Sequence, residues 1–136
     1  LTQMMRIYNK YQCSVIAIEE IDIDESNKYG IIDGVLFNGT QDIYDVNHLI
    51  EKPNSTDAPS NLAIIGRYIL TPDIFNILKK IKPDKNGEIQ ITDALRVQAK
   101  KGQVLAYKFK GQRFDCGSIK GYLKATNYFA KKLDLI

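Results

Sequence analysis

Apolar residues recur along this chain at two different periods, and the switches between them mark the elements. Residues 1–12 carry Leu1, Met4, Met5, Tyr8 and Tyr11 at mostly helical spacing, which predicts an amphipathic helix with a core-facing stripe. The run 13–21, Cys-Ser-Val-Ile-Ala-Ile-Glu-Glu-Ile, is mostly apolar and β-branched, the pattern of a buried central strand. Residues 22–28 are a polar, acidic connection. Their carboxylates lack the glycine and the ligand spacing of a calcium loop and read as solvated surface.

Tyr29-Gly30-Ile31-Ile32 reads as a strand entered through a flexible residue. Gly30 fits either a close backbone approach to a ligand or a bulge or turn. Asn38-Gly39 is a hairpin signal between strands at 34–37 and 43–50. Residues 54–60 form a Pro/Ser/Asp-rich loop, and 61–70 is another strand with Gly66 inside it, a mark of a bulge or close approach. Thr71-Pro72-Asp73 is a helix start, with Thr71 as N-cap and a helix over 73–81 placing Ile74, Ile77, Leu78 and Ile81 on one face. A helix over 93–101 stops at Gly102, and 103–111 alternates as a strand. Arg113-Phe114 is expected to be a short strand leading into a turn and a Ser118 cap. The last helix, 119–133, carries Tyr122, Leu123, Thr126, Phe129 and Leu133 on one side. The order of strands and helices is mixed, neither strict βαβ nor all-β, so the expectation is an α/β fold.

The bulk numbers narrow the class without identifying it. A length of 136 residues suits a single domain, 1–136, with one core. Hydrophobic content of 44% and charged content of 26% are ordinary for a globular protein. The net charge of +3 comes from scattered lysines, often paired near helix ends, and does not point to nucleic acid. No apolar run is long enough to span a bilayer and no signal peptide is visible, so neither membrane nor export is expected. Cys13 and Cys116 are far apart and without metal-like spacing, which fits free thiols and a cytoplasmic setting. His48 is the single histidine, which argues against a His-based triad or a multi-histidine metal site. The first residue is Leu1 and the chain opens inside a helix, which reads as a piece of a longer protein.

The candidate chemistry gathers at Glu51-Lys52-Pro53, where a strand runs into an acid, a base and a proline. The proline has no N–H and biases Lys52 toward an extended backbone. A carboxylate there can accept from two neighbouring sugar hydroxyls, and an ammonium can hold a phosphate as a point charge. The plain reading is a solvated charge pair at a strand end. What makes the motif specific is its company. Tyr29-Gly30-Ile31-Ile32 precedes it. Ala58-Pro59-Ser60-Asn61-Leu62-Ala63-Ile64-Ile65-Gly66-Arg67-Tyr68, Gly87-Glu88-Ile89-Gln90-Ile91-Thr92-Asp93-Ala94-Leu95 and Phe114-Asp115-Cys116-Gly117 follow it in order.

This series resembles the C-terminal half of bacterial UTP–glucose-1-phosphate uridylyltransferases, also called UDP-glucose pyrophosphorylases. Thymidylyltransferases share the Glu-Lys-Pro and the Asp-x-Gly. The resemblance implies a mixed-sheet α/β sandwich of the nucleotide-diphospho-sugar transferase type, Rossmann-like. It implies a Mg²⁺-dependent reaction in which glucose 1-phosphate and UTP give UDP-glucose and pyrophosphate. By that likeness Glu51 would bind glucose hydroxyls and Lys52 the sugar-linked phosphate. The Gly30 backbone would meet the sugar, and Asp115 would be a metal ligand. A homo-oligomer is expected, because cutting a central sheet leaves an edge open to another chain. The family's glycine-rich triphosphate loop and its first metal-binding aspartate are not found in these residues. The chain is therefore expected to hold the sugar-phosphate half of an active site and to be inactive alone. The competing expectations are a non-catalytic sugar-phosphate-binding or oligomerisation module, and a piece of a glucose-1-phosphate thymidylyltransferase.

Overall fold

A computed structural model describes residues 1–135. Its elements run α1 (Thr2–Tyr11), β1 (Ser14–Glu20), a 3₁₀ turn (Ile23–Lys28), β2 (Gly30–Leu36), β3 (Ile43–Glu51), β4 (Leu62–Ile69), α2 (Ile74–Leu78), α3 (Ile91–Ala99), β5 (Val104–Lys108) and α4 (Ile119–Lys132). Strand pairing follows the order β1-β4-β2-β3-β5 and closes back on β1. Among the described residues β1 and β5 alone run parallel; the other pairings are antiparallel, so the sheet is mixed as expected.

β1 is the central strand that its β-branched run predicts. Val15 and Ala17 face a cluster with Met4 and Ile7 of α1, while Ile16 and Ile18 face Ala94, Leu95 and Ala99 of α3. Successive residues thus serve opposite faces, with a helical layer on each side. Where β1 begins, a buried polar network ties three elements together. Ser14 Oγ donates to Gln98 Oε1 at 2.8 Å, and Gln98 Nε2 donates to Thr71 Oγ1 at 2.8 Å and to Asp73 Oδ1 at 3.0 Å. Gln98 and Ser14 are fully buried, and these bonds satisfy them.

Several expectations need correction. The two short strands around Gly34 are one continuous β2 with a register shift between Asp33 and Gly34. The acidic connection folds as a 3₁₀ turn, with the Asp22 side chain accepting from the Asp24 N–H. α2 is shorter than 73–81. Lys80 N–H and Ile81 N–H reach back only three residues, to the Ile77 and Leu78 carbonyls, and Pro83 bars helical backbone at Lys82. Thr71 is not the N-cap; Asp73 occupies that place, and the Thr71 hydroxyl donates to its Oδ1 at 2.5 Å. Arg113 and Phe114 form no strand and pair with none; the Arg113 side chain bonds Glu19 near the end of β1.

The apolar side of α4 is open. Tyr122, Leu123, Phe129 and Leu133 are all about half exposed or more, and Ala125 is the buried residue of this helix. α4 is tethered through Phe114, whose ring lies 5.1 Å from Tyr128 and 6.0 Å from Phe129. The expected open sheet edge is reduced by ring closure but persists in part. β4 meets β2 only at Ala63, so its outer edge beyond that point pairs with no strand among the described residues.

Candidate functional site

The β2–β3 hairpin sets the register that builds the site. Gly30 stands opposite Glu51, and the Lys52 N–H donates to the Tyr29 carbonyl at 2.9 Å. A β-carbon on Gly30 would lie 3.1 Å from Glu51 Oε2 and 3.2 Å from Ile64 Cδ1. Only glycine therefore leaves the carboxylate its place without displacing a neighbour. The first turn of α3 brings Thr92 to the same spot, where its hydroxyl donates to Glu51 Oε2 at 2.6 Å. α3 is held against β3 by Arg96, whose Nε donates to the Leu49 carbonyl at 2.9 Å.

β4 supplies the opposite wall. Ile16 pairs with Tyr68 and Ile18 with Ile64, so three residues of β4 stand across from Ala17 alone. Gly66 occupies the middle of this bulge at φ +70°, a left-handed conformation that suits glycine. The result is an open cleft of about 350 Å³, lined among others by Gly30, Glu51, Gly66, Tyr68, Thr92 and Arg113. Burial, and secondarily the Glu51 carboxylate, push the Tyr68 phenol up, so it stays a neutral donor. Arg113 closes one end. Its Nε donates to Glu19 Oε1 at 2.6 Å, and its Nη2 donates to the Tyr29 hydroxyl at 3.2 Å. The bond to Glu19 raises the guanidinium pKa further against an opposing cost of burial, so this cation is permanent.

The four residues singled out by sequence do not all meet. Gly30 and Glu51 share the cleft. Lys52 is next to it, with its side chain exposed and in no ion pair among the described residues. Its backbone is left-handed at φ +46°, not extended as the following proline predicts. The bond from its N–H to Tyr29 holds it there. Asp115 lies apart from the cleft, in a shallow surface depression with Ser118 and Gly121, and its Oδ1 accepts from the Gly117 N–H at 3.0 Å.

Residues 1–132 match the nucleotidyl transferase family. The chain belongs to that family. It is 57% identical over 133 residues to a UTP–glucose-1-phosphate uridylyltransferase of Pseudomonas aeruginosa, covering 98% of this chain and 47% of that protein. A UTP–glucose-1-phosphate uridylyltransferase 2 of Staphylococcus saprophyticus is 43% identical over 132 residues, 97% of this chain and 45% of that one. A crystal structure of UDP-glucose pyrophosphorylase complexed with UDP-glucose superposes with a TM-score of 0.88 at 58% identity, over 96% of this chain and 49% of that chain. The chain thus spans about half the length of the curated relatives it matches. These findings bear out the expected fold, the α/β architecture of nucleotidyl transferases.

As a member of the nucleotidyl transferase family, the chain offers the Glu-Lys-Pro turn as its most legible feature. Tyr68, Thr92 and Arg113 reach the cleft without having been singled out as site residues. Gly66 was visible as a strand glycine, and its bulge is what opens the cleft wall. Thr92 lies inside the 87–95 segment, but nothing local marked it or Arg113 as a site residue, since only the α3–β3 packing and the Glu19 pairing bring them in. For a metal, no group of three His, Cys, Asp or Glu side chains gathers among the described residues. A Mg²⁺ held mainly by water and substrate phosphates needs only one or two carboxylates. The exposed Asp115 fits that lesser demand.

Proposed function

We propose that this chain contributes the sugar-phosphate side of a site that joins UTP and glucose 1-phosphate into UDP-glucose and pyrophosphate. The observation that carries this reading is the Glu51 carboxylate, half-buried at a strand end and held by Thr92 against the bare backbone of Gly30. Such a group is an acceptor aimed into a cleft that also holds the Tyr68 hydroxyl, the Gln90 amide and the Arg113 guanidinium, polar partners suited to a hydroxyl-bearing ligand. The similarity to uridylyltransferases, one of them solved with UDP-glucose, supports the choice of sugar and nucleotide.

In this reading Glu51 accepts from two adjacent sugar hydroxyls, and the Gly30 edge lets the ring lie against the backbone. Lys52 neutralises the phosphate that leaves the cleft beside it. A phosphate oxygen of the sugar displaces pyrophosphate from the α-phosphorus of UTP, a step that needs alignment and charge neutralisation rather than a protein nucleophile. Asp115 would contribute one carboxylate to Mg²⁺, which when bound supplies neutralisation of the phosphate charge. No glycine-rich triphosphate loop occurs in these residues. The 136-residue chain alone is expected to make no UDP-glucose.

The test is an assay of UDP-glucose formation from UTP and glucose 1-phosphate by the natural gene product that carries this segment, beside the 136-residue chain. Turnover by the former and none by the latter is expected. A gene product that binds neither substrate, or steady turnover by the short chain, would overturn the corresponding half of the proposal.

A further inference from the structure

We propose that Thr92 is a positioning residue for the sugar phosphate, acting through Glu51; this rests on the sugar-phosphate reading above. Glu51 sits at the last position of β3, where its side chain has three torsions and only the strand end to restrain them. What fixes it is on another element. The Thr92 hydroxyl meets Oε2 at 2.6 Å, within the short range of a hydroxyl donating to a carboxylate. Thr92 is 3% exposed, so water is not a competing partner for its proton.

Neither of the ordinary reasons for a threonine at the start of a helix applies. The N-cap of α3 is Gln90, and Thr92 lies inside the first turn with its hydroxyl directed at Glu51 rather than at a backbone amide. As mere packing, a valine would serve equally. The register between the two residues is set independently by Arg96, one turn further along α3, which binds the carbonyl of Leu49 two residues before Glu51. From the other side Gly30 flanks Oε2 so closely that a β-carbon there would lie 3.1 Å from it. Oε2 is thereby boxed between Gly30 and Thr92, and Oε1 is the oxygen left for a ligand. The hydroxyl of Thr92 orders the sugar acceptor before the sugar arrives.

The experiment uses the natural gene product carrying this segment, with Thr92→Val, Thr92→Ser and Glu51→Gln. Steady-state kinetics with UTP and glucose 1-phosphate are read alongside calorimetric binding of glucose 1-phosphate. Thr92→Val is expected to raise KM for glucose 1-phosphate about five- to tenfold, the scale of one net hydrogen bond. KM for UTP and the unfolding temperature should stay put. Thr92→Ser, which keeps the hydroxyl, should return KM for the sugar phosphate to within about twofold of the parent. In a Glu51→Gln background, Thr92→Val should add less than about twofold, because the two changes remove one shared interaction. If Thr92→Val does not fold, Thr92→Ala carries the same comparison. Unchanged glucose 1-phosphate affinity in Thr92→Val, equal losses for both substrates, or multiplicative losses in the double variant would each overturn the role of Thr92. A parent protein that binds no glucose 1-phosphate would overturn the sugar-phosphate reading itself and this role with it.

Discussion

Lys52 is the residue where backbone and chemistry conflict most openly. A non-glycine residue at φ +46° before a proline holds a conformation that costs on the order of 1–3 kcal/mol. The bond from its N–H to Tyr29 and the burial of Pro53 hold it there. The left-handed turn sends the chain away from β3 while Glu51 stays in the cleft. Replacing Lys52 by alanine keeps the turn and removes the charge. In the whole gene product Lys52→Ala should raise the barrier to UDP-glucose formation by roughly 2–4 kcal/mol, the scale of one preorganised charge contact. An unchanged kcat/KM would take Lys52 out of the site. Glu51→Gln should act differently, weakening glucose 1-phosphate binding with little change in KM for UTP; calorimetry that shows undiminished sugar-phosphate binding would remove Glu51. At this scale the sequence was informative where chemistry is local, as at Gly30, Glu51 and Lys52. It was silent on Thr92 and Arg113, whose roles depend on partners 41 and 94 residues away along the chain.

The elements divide by whether their own residues decide them. β1 was readable because a β-branched run buried on both faces has one solution, and Ser118 was readable as a cap because its hydroxyl accepts from the Gly121 N–H at 3.0 Å. α2 was misjudged at both ends because its start is settled by the buried Gln98 and its finish by Pro83. Gly66 gives this scale a test. No atom lies within 4 Å of a β-carbon placed there, so Gly66→Ala meets no clash, only the cost of the left-handed backbone. A loss of about 1–2 kcal/mol in urea unfolding is expected; an unaltered midpoint would mean the bulge relaxes freely. The Gln98 network gives another. The Thr71 hydroxyl first, then the Gln98 amide, hold the Asp73 carboxyl below its ordinary 3.8. A carboxyl depressed by folding stabilises the native state above its unfolded pKa, and that contribution is lost as pH falls through the folded value. Unfolding midpoints should therefore drop below about pH 4, and Asp73→Asn should flatten that part of the profile. Identical acid limbs in the two proteins would show that the network does not depend on the charge.

For the whole molecule, the decisive fact is apolar surface without a cover. α4 presents Ile119, Tyr122, Leu123, Phe129 and Leu133 to solvent, and β4 keeps an unpaired stretch of backbone beyond Ala63. Helical periodicity announced an amphipathic α4, but periodicity cannot say what lies against the face, and here Phe114 touches it only at Tyr128 and Phe129. Both features favour association: contiguous exposed apolar residues seek burial, and a free strand edge is a template for another strand. The 136-residue chain in isolation is therefore expected to self-associate at micromolar concentration. Light scattering should give a mass above that of one chain. Leu123→Lys together with Tyr122→Lys should shift the population toward monomer, since both charges fall on the exposed face of α4 and touch neither the Phe114 tether nor the apolar clusters around β1. If only the α4 face drives association, the double variant becomes fully monomeric. If the β4 edge also contributes, a residual dimer persists in that variant. A clean monomer from the unaltered chain would show that neither surface is sticky enough to matter, and the expectation of a homo-oligomer would fall with it.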